Sequence, residues 1–106
     1  MVRTKHLEFL PLRTRLEYLI GEKVFIVTVF GSVYYGTLES VTPNVTLSNV
    51  KYFRRGKNVL DYRLVSLRRQ NVYTALVPDD FKRIDTERAK RVLPKTLFKF
   101  LKSLDA

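Results

Sequence analysis

The spacing of apolar residues changes several times along this chain. A helical repeat comes first and consists of Leu12, Leu16, Leu19 and Ile20. Pro11 precedes this repeat and Gly21 follows it, as expected at the two ends of a helix. Residues 24–30 are then almost entirely β-branched or aromatic, which is typical of a buried strand. The pattern therefore predicts a short N-terminal α-helix followed by a sheet.

Four further strands are predicted, over residues 33–41, 45–53, 59–67 and 71–77. Gly36 lies inside the first of them, and a glycine within a strand usually marks a bulge or sharp bend. A change of phase at Val65 predicts a bulge in the strand over residues 59–67. Five short strands joined by short turns favour a strongly bent sheet or small barrel with two unpaired outer strands.

The last segment, residues 81–106, has the pattern of a basic amphipathic helix and is treated as an extension of a domain over residues 1–80. Asp85 or Thr86 is the candidate N-cap, and Pro94 either kinks the helix or begins a second one. The apolar stripe contains Leu93, Leu97, Phe100, Leu101 and Leu104. We expect it to pack on the barrel or on a neighbouring subunit; the alternatives are a protein partner, RNA or an anionic membrane surface.

Charge sharpens this picture, because 20 Lys and Arg against 10 Asp and Glu give a net charge of +10 over 106 residues. The basic residues concentrate in residues 51–70 and 81–102, whereas residues 24–50 contain none. Such an uneven distribution is typical of a protein that binds a polyanion such as nucleic acid. The alternative is an ordinary basic surface, as in a heat-adapted protein. The absence of cysteine and of a long apolar stretch favours a cytoplasmic protein without a membrane span.

Candidate catalytic chemistry is sparse. His6 is the only histidine and lies near the N-terminus, and no glycine-rich phosphate loop is present. Asp79 and Asp80 are expected to end a strand rather than to hold a metal ion. We therefore predict no enzyme, no metal and no cofactor.

Two segments carry a resemblance to a known family. Residues 36–50 read Gly-Thr-Leu-Glu-Ser-Val-Thr-Pro-Asn-Val-Thr-Leu-Ser-Asn-Val, and residues 67–72 read Leu-Arg-Arg-Gln-Asn-Val. Together they resemble, in degenerate form, the two motifs of the Sm-like (LSm) family of ring-forming RNA-binding proteins, over about residues 12–77. The resemblance implies a mainly β protein, a five-stranded, strongly bent small barrel with an N-terminal α-helix, here with a helical C-terminal extension. An archaeal member is expected.

The resemblance also implies a binding site. Thr42 takes the position of the family's base-stacking residue and has no π-face; an ungapped alignment would instead put Asn44 there and Thr46 at the asparagine position. Asn44 could pair with a base edge or merely bond its own turn. Arg68 could stack on a base or bind phosphate. Arg69 replaces the family's glycine, so either the backbone there is ordinary or strain is tolerated.

Ring assembly follows from the same resemblance, because in the family the fourth strand of one subunit pairs with the fifth of the next. Six or seven copies are expected; the alternative is a monomer whose edges are covered by its own tail. Arg54 and Arg55, with Lys57, would lie on the ring face opposite the N-terminal helices. They would form a second phosphate-binding surface or simply a solvated turn.

The sequence thus predicts a non-catalytic protein that binds single-stranded RNA mainly through phosphate charge near the pore, in RNA metabolism or ribonucleoprotein assembly. Its predicted site residues are Thr42, Asn44, Arg68, Arg69, Arg54 and Arg55. A structural scaffold that has lost base recognition and recruits a protein partner through its C-terminal helix is the alternative. A DNA-compacting basic protein is a third hypothesis.

Overall fold

A computed structural model describes residues 5–13 and 15–104 of the chain. Its strands are β1 (Lys23–Thr28), β2 (Val33–Ser40), β3 (Val45–Phe53), β4 (Leu60–Leu67) and β5 (Val72–Leu76). The α-helices are α1 (Thr86–Val92) and α2 (Lys95–Leu104), and 3₁₀ helices occupy Lys5–Leu7, Leu16–Leu19, Arg69–Asn71 and Pro78–Lys82. All five predicted strands are present, close to their predicted bounds.

The strands form one antiparallel sheet in the order β4-β3-β2-β1-β5. The register of β2 against β3 shifts at Gly36, between Tyr35 and Thr37. A Cβ atom on Gly36 would lie 2.7 Å from the carbonyl oxygen of Ser48, so only glycine allows the two backbones this approach. The predicted bend at Gly36 is confirmed.

The bulge predicted in the fourth strand is wrong. Pairing between β3 and β4 keeps one register from Val45 opposite Leu67 to Tyr52 opposite Leu60. The change of phase has another cause: Val65 and Leu67 pack against the core, whereas the earlier apolar residues of β4 are exposed. The edge strand therefore carries apolar side chains on both faces.

Alternation along β1 separates two hydrophobic clusters on the two faces of the sheet. Val24 and Ile26 belong to one cluster, which Leu16 and Leu19 also join. Phe25 and Val27 belong to the other, which the C-terminal helices cover. The sheet is therefore buried on both faces, and the tail completes the second core.

The tail begins as predicted, because the Asp85 carboxylate accepts a hydrogen bond from the backbone N–H of Arg88 at 3.2 Å and caps α1. Pro94 lies between α1 and α2, which agrees with the second of the two alternatives for that residue. Leu93 and Leu97 are buried, and the ring of Phe100 lies 5.1 to 6.3 Å from three rings of the sheet, those of Tyr35, Phe53 and Phe25. The apolar stripe therefore packs on the barrel, as expected.

The predicted N-terminal α-helix is wrong: in the described part of that segment only a 3₁₀ helix, Leu16–Leu19, occurs. The backbone of Pro11 and Arg13 bonds Thr74 instead, because the Thr74 hydroxyl donates to the carbonyl of Pro11 and accepts from the N–H of Arg13. These bonds compete with helical ones. The positive φ of Gly21, +91°, does end the segment as its position predicted. Across the part of the chain that the structure describes, no helix has the length and apolar character needed to cross a membrane.

Candidate nucleic-acid interface

Two loops meet at one end of the sheet. Val45 at the start of β3 pairs with Leu67 at the end of β4, so the turn over residues 42–44 and the segment after Leu67 leave the sheet side by side. Thr42, Asn44 and Arg68 are all exposed there. The sequence placed these residues on two different loops, and the strand register brings the loops together.

The side chain of Asn44 makes no hydrogen bond to any described residue. The alternative in which it bonds its own turn is therefore wrong, and its amide donor and acceptor face solvent. Thr42 is also exposed but contributes only a methyl and a hydroxyl group. This end of the sheet thus offers hydrogen-bonding groups and no aromatic stacking residue at the positions of Thr42 and Asn44.

Arg69 opens the 3₁₀ helix Arg69–Asn71, and its backbone is ordinary, because Asn49 is the sole non-glycine residue with a positive φ in the described ranges. Of the two alternatives for arginine in place of the glycine, an ordinary backbone is therefore correct and a strained one is excluded. Its guanidinium lies 3.9 Å from the carboxylate of Glu17. Both side chains are about half exposed, so water screens this pair.

Arg54 and Arg55 are exposed at the opposite end of β3, in a tight loop that Gly56 completes with a φ of +72°. The backbone N–H of Lys57 closes the turn by donating to the carbonyl of Arg54 at 3.2 Å. A nine-residue strand spans roughly 26 Å at about 3.3 Å per residue. Arg54 and Arg55 therefore lie at the other end of β3 from the turn with Thr42 and Asn44. One cavity is nevertheless lined by Arg54 and Arg55 together with Leu67 and Asn71, which flank the segment of Arg68 and Arg69.

The loop arginines line a cleft of about 390 Å³ between the β3–β4 loop and the junction of α1 with α2. Its charged lining residues are all basic: Arg54, Arg55, Lys57, Lys90 and Lys95. Sequence reasoning missed Lys90 and Lys95 as partners of the loop, because the helical wheel shows only that the tail has a basic face. Where that face would lie was not readable from the pattern.

A second cavity of about 520 Å³ shares Arg54 and Arg55 with this cleft and is lined by Phe30, Tyr34 and Tyr52. The rings of Tyr34 and Tyr52 stack across β2 and β3 with centroids 4.5 Å apart. Burial, and next the neighbouring Tyr52, raises the pKa of Tyr34 to about 12. Tyr34 therefore stays a neutral hydrogen-bonding phenol at any physiological pH. Sequence reasoning did not single out these tyrosines.

The outer strands have exposed apolar residues. Leu60, Tyr62 and Leu64 alternate along β4 and are 44 to 65% exposed. β4 and β5 each lack a neighbour on their outer side within the described sheet. Among the described residues, no backbone hydrogen bond joins the tail to either edge strand, so its packing leaves the ladder positions open.

No group of three or more potential metal ligands from His, Cys, Asp and Glu occurs among the residues that the structure describes. Asp80 instead binds Arg13, whose guanidinium donates to both carboxylate oxygens at 2.9 and 2.7 Å. The carboxylate also accepts from the backbone N–H of Val77 at 2.8 Å. Asp80 thus fastens the N-terminal segment to the end of β5, which is a structural role.

Comparison with known proteins places the fold. No family model matches the sequence, and no curated protein matches it. Among solved structures, a chain of the NatC complex bound to a Gag peptide and CoA superposes with a TM-score of 0.51 at 24% identity, over 64% of this chain and 99% of that one. The Sm protein of Pyrococcus abyssii in complex with a uridine heptamer superposes with a TM-score of 0.50 at 21% identity, over 57% of this chain and 89% of that one. A chain of the P. aerophilum SmAP1 heptamer superposes with a TM-score of 0.51 at 24% identity, over 57% of this chain and 84% of that one. The chain is similar to these proteins in its backbone, and its fold is Sm-like.

Proposed function

We propose that this protein is a non-catalytic RNA-binding protein that assembles into a homo-oligomeric ring of six or seven copies. It binds single-stranded RNA and acts in RNA metabolism or ribonucleoprotein assembly. The observation that carries the proposal is the meeting of Asn44 and Arg68 at one end of an Sm-like sheet. Proteins with the same fold occur in complex with a uridine heptamer and as a heptamer, which supports both parts of the proposal.

Phosphate charge dominates this binding. The guanidinium groups of Arg68 and Arg69 can each hold a phosphate through paired hydrogen bonds, and the free amide of Asn44 can read a base edge. Thr42 supplies no stacking surface, and stacking is worth roughly 1–3 kcal/mol per base. Affinity should therefore depend strongly on salt and weakly on base identity.

The ring closes through the outer strands. Pairing of β4 in one copy with β5 in the next would satisfy the open ladder groups and cover the apolar stripe of Leu60, Tyr62 and Leu64. Repetition around an axis would then gather the exposed Asn44, Arg68 and Arg69 of every copy near a central pore. This multiplication explains how two arginines per copy can hold a polyanion.

Native mass spectrometry with and without oligo-uridine tests assembly and binding together. We expect a species of six or seven copies that gains mass with the oligonucleotide. Titration at several salt concentrations should show affinity falling steeply, by a slope of roughly 0.7 per phosphate contact. A lone monomer at all concentrations contradicts the ring, and salt-insensitive, uridine-selective binding contradicts the mode.

A paired substitution tests the site itself. Arg68→Gln with Arg69→Gln should weaken binding and lower the salt slope, whereas Lys23→Gln with Arg83→Gln removes the same charge from exposed positions elsewhere and should have little effect. Equal losses in the two variants would mean that net charge alone drives binding.

The second candidate is an assembly scaffold that recruits a protein partner through its tail. The same fold within the NatC complex favours it, as does the missing stacking residue at Thr42. Deleting the tail would not be a clean test, since Leu93 and Leu97 belong to the core. Unchanged RNA affinity after substitution of Arg68 and Arg69 would favour the scaffold.

A further inference from the structure

We propose that the cleft between the β3–β4 loop and the α1–α2 junction is a second binding site for the phosphate backbone of single-stranded RNA. Lys90 and Lys95 of the tail complete it beside Arg54, Arg55 and Lys57 of the loop. The proposal rests on the RNA-binding function above but concerns a different cleft, whose lining includes neither Arg68 nor Arg69. It assigns to the tail a binding role besides its packing on the sheet.

Uncompensated charge is the first argument. Among described residues, none of the five cations of the cleft forms an ion pair, and the cleft lining contains no acid. Two lysines outside the cleft do lie beside acids: Lys51 is 2.8 Å from Asp61, and Lys82 is 3.6 Å from Asp79. Five like charges around one concavity repel each other, and an anion in the cleft would relieve that repulsion.

Hydrogen-bonding capacity is the second argument. The hydroxyl oxygen of Thr96, in the first turn of α2, is buried and has no partner among the described residues, and Thr96 lines the cleft. Asn58 adds an amide from the loop side. A phosphodiester has only acceptor oxygens, which suits guanidinium, ammonium, hydroxyl and amide donors together. The polar lining therefore fits an anion whose oxygens all accept hydrogen bonds, as those of a phosphodiester do.

The neighbouring aromatic cavity decides between an RNA strand and free phosphate. Arg54 and Arg55 belong to both cavities, so a phosphate held between them has the side chains of Phe30 and Tyr52 within the adjoining surface. Phe30 is 66% exposed, with no aromatic partner among the described rings. Bases of a single strand can stack on such rings, whereas inorganic phosphate gains nothing from them.

The test compares two double variants of the tail that remove equal charge. Lys90→Gln with Lys95→Gln alters the cleft, and Lys99→Gln with Lys102→Gln removes the same charge from α2 outside it. We expect the first to weaken binding of a labelled oligo-uridine roughly tenfold and to lower the salt slope by about 0.7 per lost contact. The variant with Lys99→Gln and Lys102→Gln should keep both the affinity and the salt slope close to those of wild type. All four lysines are exposed, so thermal melting should show that both variants fold.

The outcomes separate this inference from the proposed function. If wild type binds no RNA, the proposed function fails, and the cleft assignment fails with it. If wild type binds RNA and substitution of Arg68 and Arg69 weakens it, while the two tail variants behave alike, only the cleft inference is overturned. Inorganic tripolyphosphate provides the other arm. If it binds as tightly as the oligonucleotide, and Tyr52→Ala leaves RNA affinity unchanged, the cleft is a site for free phosphate and the RNA assignment is wrong.

Discussion

Asp80 provides the sharpest test of the described contacts, through the change Asp80→Asn. The carboxylate of Asp80 is 9% exposed and binds both the guanidinium of Arg13 and the backbone N–H of Val77. Asparagine has the same shape but no charge and only one acceptor oxygen. Oδ2 of Asp80 accepts from both donors and Oδ1 accepts from Arg13 alone. With its oxygen in the place of Oδ2, asparagine would turn its NH2 group toward the guanidinium, so one hydrogen bond and the charge attraction to Arg13 are lost.

The size of the loss follows from these contacts. A hydrogen bond to a charged group is worth about 1.5–3 kcal/mol, and breaking a buried ion pair from one side costs about 3–5 kcal/mol. The side chain of Arg13 is 35% exposed, so water can solvate it after the change, and the lower end of that range applies. We expect the free energy of unfolding to fall by about 3 kcal/mol, or roughly 12 °C in Tm at about 4 °C per kcal/mol for a chain of this size.

Chemical denaturation at a fixed protein concentration measures the effect, because assembly would make stability concentration-dependent. Asp79→Asn is the matched control. Asp79 is the preceding residue and is 81% exposed, and among the described residues its one ion pair is with Lys82 at 3.6 Å. Less than about 0.5 kcal/mol should therefore be lost. With Arg13→Met in the background, Asp80→Asn should cost about 2 kcal/mol less. Equal losses for Asp79→Asn and Asp80→Asn would refute the reasoning.

Three other predictions concern the sheet and the tail. Gly36→Ala should lower the free energy of unfolding by about 3 kcal/mol in chemical denaturation, because its Cβ would lie 2.7 Å from the Ser48 carbonyl oxygen. Gly56→Ala should lower it by only about 1 kcal/mol, because the space there is open and the cost comes from the φ of +72° alone. The pKa of Tyr34 is raised from 10.0 to about 12, so the unfolded chain loses this proton at a lower pH than the folded protein does. The contribution of Tyr34 to stability should therefore be full below about pH 10 and fall between pH 10 and 12. In alkaline denaturation curves, Tyr34→Phe should make that fall shallower. Phe100→Ala should lower the free energy of unfolding by about 3 kcal/mol through lost contacts with the sheet, whereas the exposed Phe30→Ala should change it little.

The strands were readable from the sequence because each has a local cause. The β-branched and aromatic residues 24–28 form the buried part of β1, as their composition predicts, whereas Phe30 follows the strand and is exposed. Gly36 and Gly21 lie where a residue with a Cβ atom would clash or be strained. Asp85 likewise carries its capping role in its own side chain. Such features depend on neighbours within a few residues, which a pattern along the chain records directly.

The prediction of an N-terminal helix was wrong because the hydrogen bonds that replace the helical ones come from a residue far away in the sequence. Thr74 lies more than sixty residues from Pro11 and Arg13, yet its hydroxyl takes their backbone groups out of a helix. A helix of three turns is marginal without tertiary support, so two such bonds are enough to replace it. Leu16 and Leu19 still point into the core, which is why the apolar spacing looked helical.

The candidate sites show the same division between local and distant causes. The sequence indicated which segments are basic but not which of them lie together. The pairing of Val45 with Leu67 brings Arg68 beside Asn44, and the packing of Leu93 and Leu97 on the sheet brings the tail lysines beside the β3–β4 loop. The second case has a thermodynamic consequence. A strand of RNA bound between loop and tail would hold the tail on the sheet, and a ligand that binds only the folded state stabilises it. Saturating oligo-uridine should therefore raise Tm less in the Lys90→Gln, Lys95→Gln variant than in wild type. If the tail served only as a lid for the core, the two increments would be equal.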